Sequence, residues 1–464
     1  MTSVKNKSAI KDFTKGNLMP HLVRFAIPLL LANLMMVLLN TVDMIVVGNE
    51  LGENGTSAVS IGGSVAMFIN AFINGFCAAA QVLIARMVGS GEKKRISRFV
   101  STVCGFIFVC GIVFMAVMLP LTRTMLDLLN TPPEAYEGAY EYSVICLIGI
   151  IPIFAYHVIS SVVRGMGDSK HPFIFIAIAC GLNIVLDVLF VSVFDWGVKG
   201  AAIATVLAQL VSVVFSIGLL IIKRKEFEFT MTMRDFVYWN KGDLGDFIKL
   251  AIPMALNNSA IQISGMVVNS MTNNFGVSVS AFAGITATIN TTLNLILSAI
   301  TTAGAMIIGQ NLAAGKVKRV KKSMANVGML TLSITAIFLV AFLVFPIPLF
   351  RIFTKEESVL AIVDSYLPIL ALNFTTFGFL TITRALINGS GNRKINLLNA
   401  LLDAVVARIS FAYIFGILLG WDYLGFWFGS ALASTVPLII GIVFYFSGIW
   451  KKAPIKQTEE KTAE

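Results

Sequence analysis

Three aspartates and one arginine, Asp43, Asp187, Asp403 and Arg408, stand deep inside long apolar runs of this chain. If those runs lie in a bilayer, each charge costs about 2.5–3.5 kcal/mol on insertion scales, which makes every one of them a candidate functional group. Asn40 and Asp43 are three residues apart, and Asn183 and Asp187 are four apart, so each pair shares one face of a helix. Thr205 lies about two turns into the following apolar stretch. Carboxylate, amide and hydroxyl oxygens together can replace the water shell of a hard cation. A desolvated carboxylate can instead hold a proton, because burial favours its neutral form. The plainer alternative is that Asp43 and Asp187 only hydrogen-bond neighbouring helices. Asp403 and Arg408 are five apart, about 140° around a regular helix, which makes direct pairing awkward. They divide between an interhelical structural role and a part in substrate binding or gating.

The elements that carry these residues follow from composition. The chain is 57% hydrophobic and 13% charged, with a mean hydropathy of +0.84, whereas soluble domains carry about 25% charged residues. Charge falls in short clusters between apolar stretches, as in a membrane bundle. Twelve stretches are long enough to cross: 22–47, 61–84, 99–120, 142–163, 173–193, 198–222, 247–270, 281–308, 323–346, 361–386, 397–419 and 425–449. The expected class is therefore an all-α membrane protein of twelve transmembrane helices. Placing both termini in the cytoplasm puts every Lys and Arg on that side except Arg123, Lys199, Arg351, Lys355 and the intramembrane Arg408, as the positive-inside rule requires.

The chain also repeats. RFAIPLLLANL at 24–34 returns as KLAIPMALNNS at 249–259, SGEKKR at 90–95 as AGKVKR at 314–319, and GDSK at 167–170 as GNRK at 391–394. A nearly constant shift of 224 or 225 residues implies two six-helix lobes in the same orientation, a parallel repeat found in transporters that rock one half against the other. The expected organisation is a cytoplasmic arm (1–21), an N lobe (22–222), an interlobe linker (223–246) that reads as an amphipathic surface segment, a C lobe (247–449) and a charged tail (450–464). Pro28 and Pro253 sit about a third of the way into spans one and seven. Pro28 removes a backbone donor, and it either bends span one when Asp43 changes charge or imposes a static kink.

TKGNLMPHLVRFAIPLLLANL leading to NTVDMIVVG, RGMGDSKHPF followed by LNIVLDVLF, and WGVKGAAIATVLAQLVS resemble the multidrug and toxic compound extrusion (MATE) family, across residues 14–450. The resemblance implies a secondary antiporter that exports small organic, often cationic, compounds in exchange for Na⁺ or H⁺, with no other cofactor. Asp43, Asn183, Asp187 and Thr205 match the N-lobe cation-binding positions of the archaeal and DinF-type branch. Spans seven and ten hold no acid in their cores, unlike the NorM-type branch. The alternative within the superfamily is a flippase for a lipid-linked oligosaccharide or other lipid. A membrane receptor would leave the duplication unexplained.

Other classes are disfavoured. The net charge of +10 comes with no basic face on a soluble module, so no nucleic-acid partner is expected. Cys77, Cys104, Cys110, Cys146 and Cys180 lie in apolar runs, and the histidines at 21, 157 and 171 are scattered, which argues against a metal centre or disulfide framework. No phosphate-binding glycine loop of the GxxxxGK[ST] kind occurs, so the protein is not read as an ATP-hydrolysing enzyme. Met35, Met36, Met67 and Phe68 suit either an adaptable cavity or plain packing. The basic loops at 86–95 and 313–319 suit contact with membrane lipids. A multi-pass monomer in the cell membrane is expected.

Overall fold

The computed structural model describes residues 10–129, 131–223 and 239–452, with the side chains of 40, 53, 64–69, 71, 93, 94, 128, 404, 405 and 452 outside that description. The expected linker therefore lies largely outside the described residues, as do most of the tail and the first nine residues of the arm. The described residues form an all-helical bundle.

Its spans, numbered in chain order, are α1 (Leu18–Gly52), α2 (Phe72–Ser90), α3 (Arg95–Asp127), α4 (the bent pair Pro133–Ile148 and Ile150–Gly165), α5 (Lys170–Val193) and α6 (Gly197–Ile222) in the first half. The second half holds α7 (Lys241–Asn273), then α8 (Val277–Ala313), α9 (Val317–Val344), α10 (Val363–Ser390), α11 (Arg393–Leu418) and α12 (Asp422–Ser447). Among the described residues, ten are long and apolar enough to cross alone, and α4 crosses as a pair bent by 52°. The remaining helix, α7, is 33 residues long but carries Asn257, Asn258, Gln262 and Asn269. Such side chains need partner helices rather than lipid, and α7 packs against the helical run Leu18–Ser90 and against α11.

The repeated motifs have a local physical basis. Gly91 and Gly315 link α2 to α3 and α8 to α9 at φ of +82° and +70°, a left-handed conformation that favours glycine. At the other motif pair, Asp168 Oδ1 accepts the Lys170 amide at 3.0 Å and Asn392 Oδ1 accepts the Ile395 amide at 3.1 Å. Each satisfies an orphan donor at the start of its helix. Burial alone would raise the Asp168 carboxyl, but the His171 imidazole and the charge of Lys11 hold it below the usual carboxylate range.

The two halves meet mainly at the end that carries residues 10–25. Phe76, Phe99 and Phe106 of the first half surround Phe247 of the second at centroid distances of 5.9, 6.2 and 6.1 Å. Arg95 of α3 pairs with Asp243 of α7 at 2.7 Å, and Asp246 of α7 pairs with Arg393 of α11 at 2.6 Å. Residues 10–17 form a strap across the same end. The Lys11 amide donates to the Met166 carbonyl of the first half at 3.0 Å, while the Phe13 amide donates to Gln310 Oε1 of the second at 2.8 Å. Lys316 and Arg319 hold the Thr14 and Gly16 carbonyls at 2.9 and 3.0 Å. The buried clusters around Val47, Val59 and Tyr142, and around Phe282, Phe350 and Trp427, each belong to one half.

Candidate functional site

Asp43 is contributed by α1, Asn183 and Asp187 by α5, and Thr205 by α6. Asp43, Asn183 and Asp187 are almost wholly buried, at 1%, 0% and 0% exposure. The fold brings all four together. Thr205 Oγ1 donates to Asp43 Oδ2 at 2.8 Å, and Asn183 Nδ2 donates to Thr205 Oγ1 at 3.4 Å. Asp187 lies near enough to Asp43 for the two carboxyl groups to interact. The regular helix of α5 ends at Asp187 and continues in wider π-type turns over Val188–Val193, a departure common at functional sites.

Tyr142 of α4 completes the cluster, with its hydroxyl donating to Asp43 Oδ2 at 3.3 Å. Sequence reasoning missed it because a phenol in a membrane span is ordinary. Its one signal is a second tyrosine, Tyr366, at the repeat shift.

Four oxygens in the cluster stay without a hydrogen-bond partner among the described residues: Asp43 Oδ1, Asn183 Oδ1 and both carboxylate oxygens of Asp187. Buried polar atoms normally find partners, and each exception calls for an explanation such as an ion or a proton. The donors are oxygens alone, a set that fits a hard alkali cation rather than a thiolate- or imidazole-seeking metal. Among the described residues, no three His, Cys, Asp or Glu side chains converge to hold a transition metal.

The other sequence candidates are placed differently. Pro28 lies inside α1, as Pro253 does inside α7. The side chains of Asn40, Met67 and Phe68 lie outside the described residues. Met35 and Met36 pack against a buried cluster that is built mainly from the first half and includes Phe247 and Met254 of α7.

The expectation that Asp403 and Arg408 cannot readily pair is corrected. Arg408 Nη2 donates to Asp403 Oδ1 at 3.1 Å. The reason is local, because Ala400–Ala407 follow π-type turns, whose i to i+5 repeat stacks residues five apart. Arg384 of α10, near the end of the tenth predicted stretch, also reaches Asp403, at 3.6 Å. That position makes it read as a loop charge in the sequence.

Comparison with known proteins agrees with this architecture. The MatE family model matches the chain twice, over residues 28–189 and 253–414, with Pro28 and Pro253 opening the two matches. The probable multidrug resistance protein YpnP of Bacillus subtilis (strain 168) is 30% identical, over 95% of this chain and 97% of that protein. The probable multidrug resistance protein YoeA of the same organism is 25% identical, over 93% and 94%. A solved MATE structure in the bent conformation superposes with a TM-score of 0.87 at 24% identity, covering 95% of this chain and 98% of that one. With both halves matched by the model and a relative of this identity spanning nearly its whole length, the chain belongs to the MatE (MATE) family of multi-pass membrane transporters and is not an enzyme.

Proposed function

We propose that this chain is a secondary antiporter that exports small organic compounds, acting as a single chain and driven by Na⁺ or H⁺ bound at Asp43, Asn183, Asp187 and Thr205. The observation that carries the reading is the set of four unpartnered buried oxygens, three of them from the neighbouring carboxyl groups of Asp43 and Asp187 and one from the Asn183 amide. A cation or proton there would complete the hydrogen-bonding or ligand shell and offset the like charges. Thr205 and Tyr142 hold Asp43 Oδ2, which leaves Oδ1 free toward the ion. The ion must bind one access state better than the other, since a ligand with equal affinity for both shifts nothing.

Alternating access then requires the face sealed by the strap, by Arg95–Asp243 and by Phe247 to part. The efflux role is supported by relatives described as multidrug resistance proteins. Dye efflux from inverted vesicles is the test. Accumulation of an organic cation that responds to an imposed Na⁺ or H⁺ gradient is expected, and accumulation indifferent to both gradients contradicts the reading.

The same proposal places both termini in the cytoplasm, because the basic clusters gather at that end. In a background lacking the five native cysteines, a cysteine at Lys355 should react with an impermeant maleimide in intact cells. One at Lys318 should react only after permeabilisation. Labelling of position 318 in intact cells would reverse the orientation.

A further inference from the structure

The two halves carry opposite charge at corresponding places. In the first half, two carboxylates, Asp43 and Asp187, meet hydroxyl, amide and phenol groups. The repeat shift of 224 or 225 residues carries Asn183 onto Ala407 or the adjacent Arg408, and around Arg408 the balance is inverted. Asp403, 1% exposed, faces two guanidinium groups, Arg408 at 3.1 Å and Arg384 at 3.6 Å. One carboxylate between two arginines leaves one positive charge uncompensated inside the bundle.

The donors of these arginines are far from used up. Arg408 gives Nη2 to Asp403 and, at 3.5 Å, to Ser434 Oγ, but its Nε is buried with no hydrogen-bond partner among the described residues. Arg384 stands beyond hydrogen-bond distance of Asp403 and leaves 31% of its side chain exposed. Side chains on a helix lean toward its N-terminus, which carries Arg384 away from the Ser390 end of α10 and into the span. An intramembrane ionisable group of this kind marks a candidate functional site by default. The planar donor fork of arginine suits an oxyanion of carboxylate or phosphate type.

We propose that Arg384 and Arg408 form an oxyanion-binding subsite in the second half, which takes the carboxylate or phosphate group of a small organic substrate or of a lipid headgroup. In this subsite, Asp403 fixes Arg408 and balances one charge, while Arg384 supplies the other. If the ligand is cargo, the inference rests on the transporter reading and extends its substrates to anionic or zwitterionic organic compounds.

The test measures binding of 5-carboxyfluorescein to delipidated wild-type protein in neutral detergent by fluorescence anisotropy, alongside Arg384→Gln and Arg384→Lys. Loss of a charge-assisted contact should raise Kd about tenfold or more in Arg384→Gln. The lysine variant, which keeps the charge but loses the planar fork, should fall between wild type and Arg384→Gln. Citrate should displace the dye from wild-type protein, a result that needs no variant to fold. In nanodiscs of neutral lipid, added phosphatidylglycerol displaces the dye if a headgroup is the ligand and leaves it bound if a soluble anion is. Absence of dye binding to wild type, or an Arg384→Gln Kd within about twofold of wild type, overturns the proposal. Gradient-driven ethidium efflux, measured in parallel, reports on the exporter reading by itself, so either can fail while the other stands.

Discussion

Asp43→Asn and Asp187→Asn are each expected to remove gradient-driven efflux while leaving the protein inserted and folded. Asparagine keeps the volume and much of the hydrogen-bonding capacity, but it cannot release a proton and offers no charge to Na⁺. Coupling between sites is commonly about 1–3 kcal/mol, or about 5- to 150-fold, so the gradient-dependent component should fall by about that factor. Thr205→Ala should have a smaller effect than either, because it removes one donor at 2.8 Å and leaves both carboxylates in place. Efflux assays at matched expression decide the point. Wild-type gradient dependence in Asp187→Asn would move the site elsewhere.

The second large effect is expected where the halves touch backbone to backbone. A Cβ on Gly75 of α2 would lie 2.2 Å from the Ala255 Cα of α7, and one on Gly89 would lie 2.1 Å from the Gln310 carbonyl oxygen of α8. Main-chain atoms cannot rotate aside, so a larger residue must push the halves apart. Overpacking of this kind costs about 1–3 kcal/mol or more. Gly75→Val and Gly89→Val should therefore disfavour the sealed arrangement, release the strap at residues 10–17 and lower transport strongly, with each half still helical. Gly181→Ala and Gly284→Ala, which meet nothing within 4 Å, should change little. Hydrogen exchange across residues 10–17 would report the opening, and unchanged protection in both valine variants would contradict this account of the seal.

Much of this architecture is legible in the residues. Apolar stretches of sufficient length announce the spans. The duplicated glycines and helix-capping oxygens are local devices that the chain must repeat wherever it repeats the turn. Asp43 and Asp187 stand out because carboxylates in apolar runs are costly, and the spacing of Asn183 from Asp187 places both on one face.

The features that escape have equally physical causes. Arg384 lies so close to the end of its stretch that it reads as a loop charge, and Tyr142 carries no charge to betray it. Asp403 and Arg408 look unpaired only if every helix is assumed to turn by 100° per residue. The π-type turns at Ala400–Ala407 leave no simple residue signature, whereas the 52° bend between Ile148 and Ile150 falls at Gly149 with Pro152 in the following turn, a pair whose helix-breaking character is legible.

The central claim is that one lobe binds the coupling ion through Asp43 and Asp187. Its most direct measurement is equilibrium binding to purified protein, with radiolabelled Na⁺ uptake in one arm and proton release on Na⁺ or substrate addition in the other. Wild-type protein should bind Na⁺ or release a proton, whereas Asp43→Asn and Asp187→Asn should do neither. Binding or release that survives both N-lobe substitutions and disappears with Asp403→Asn would contradict the account.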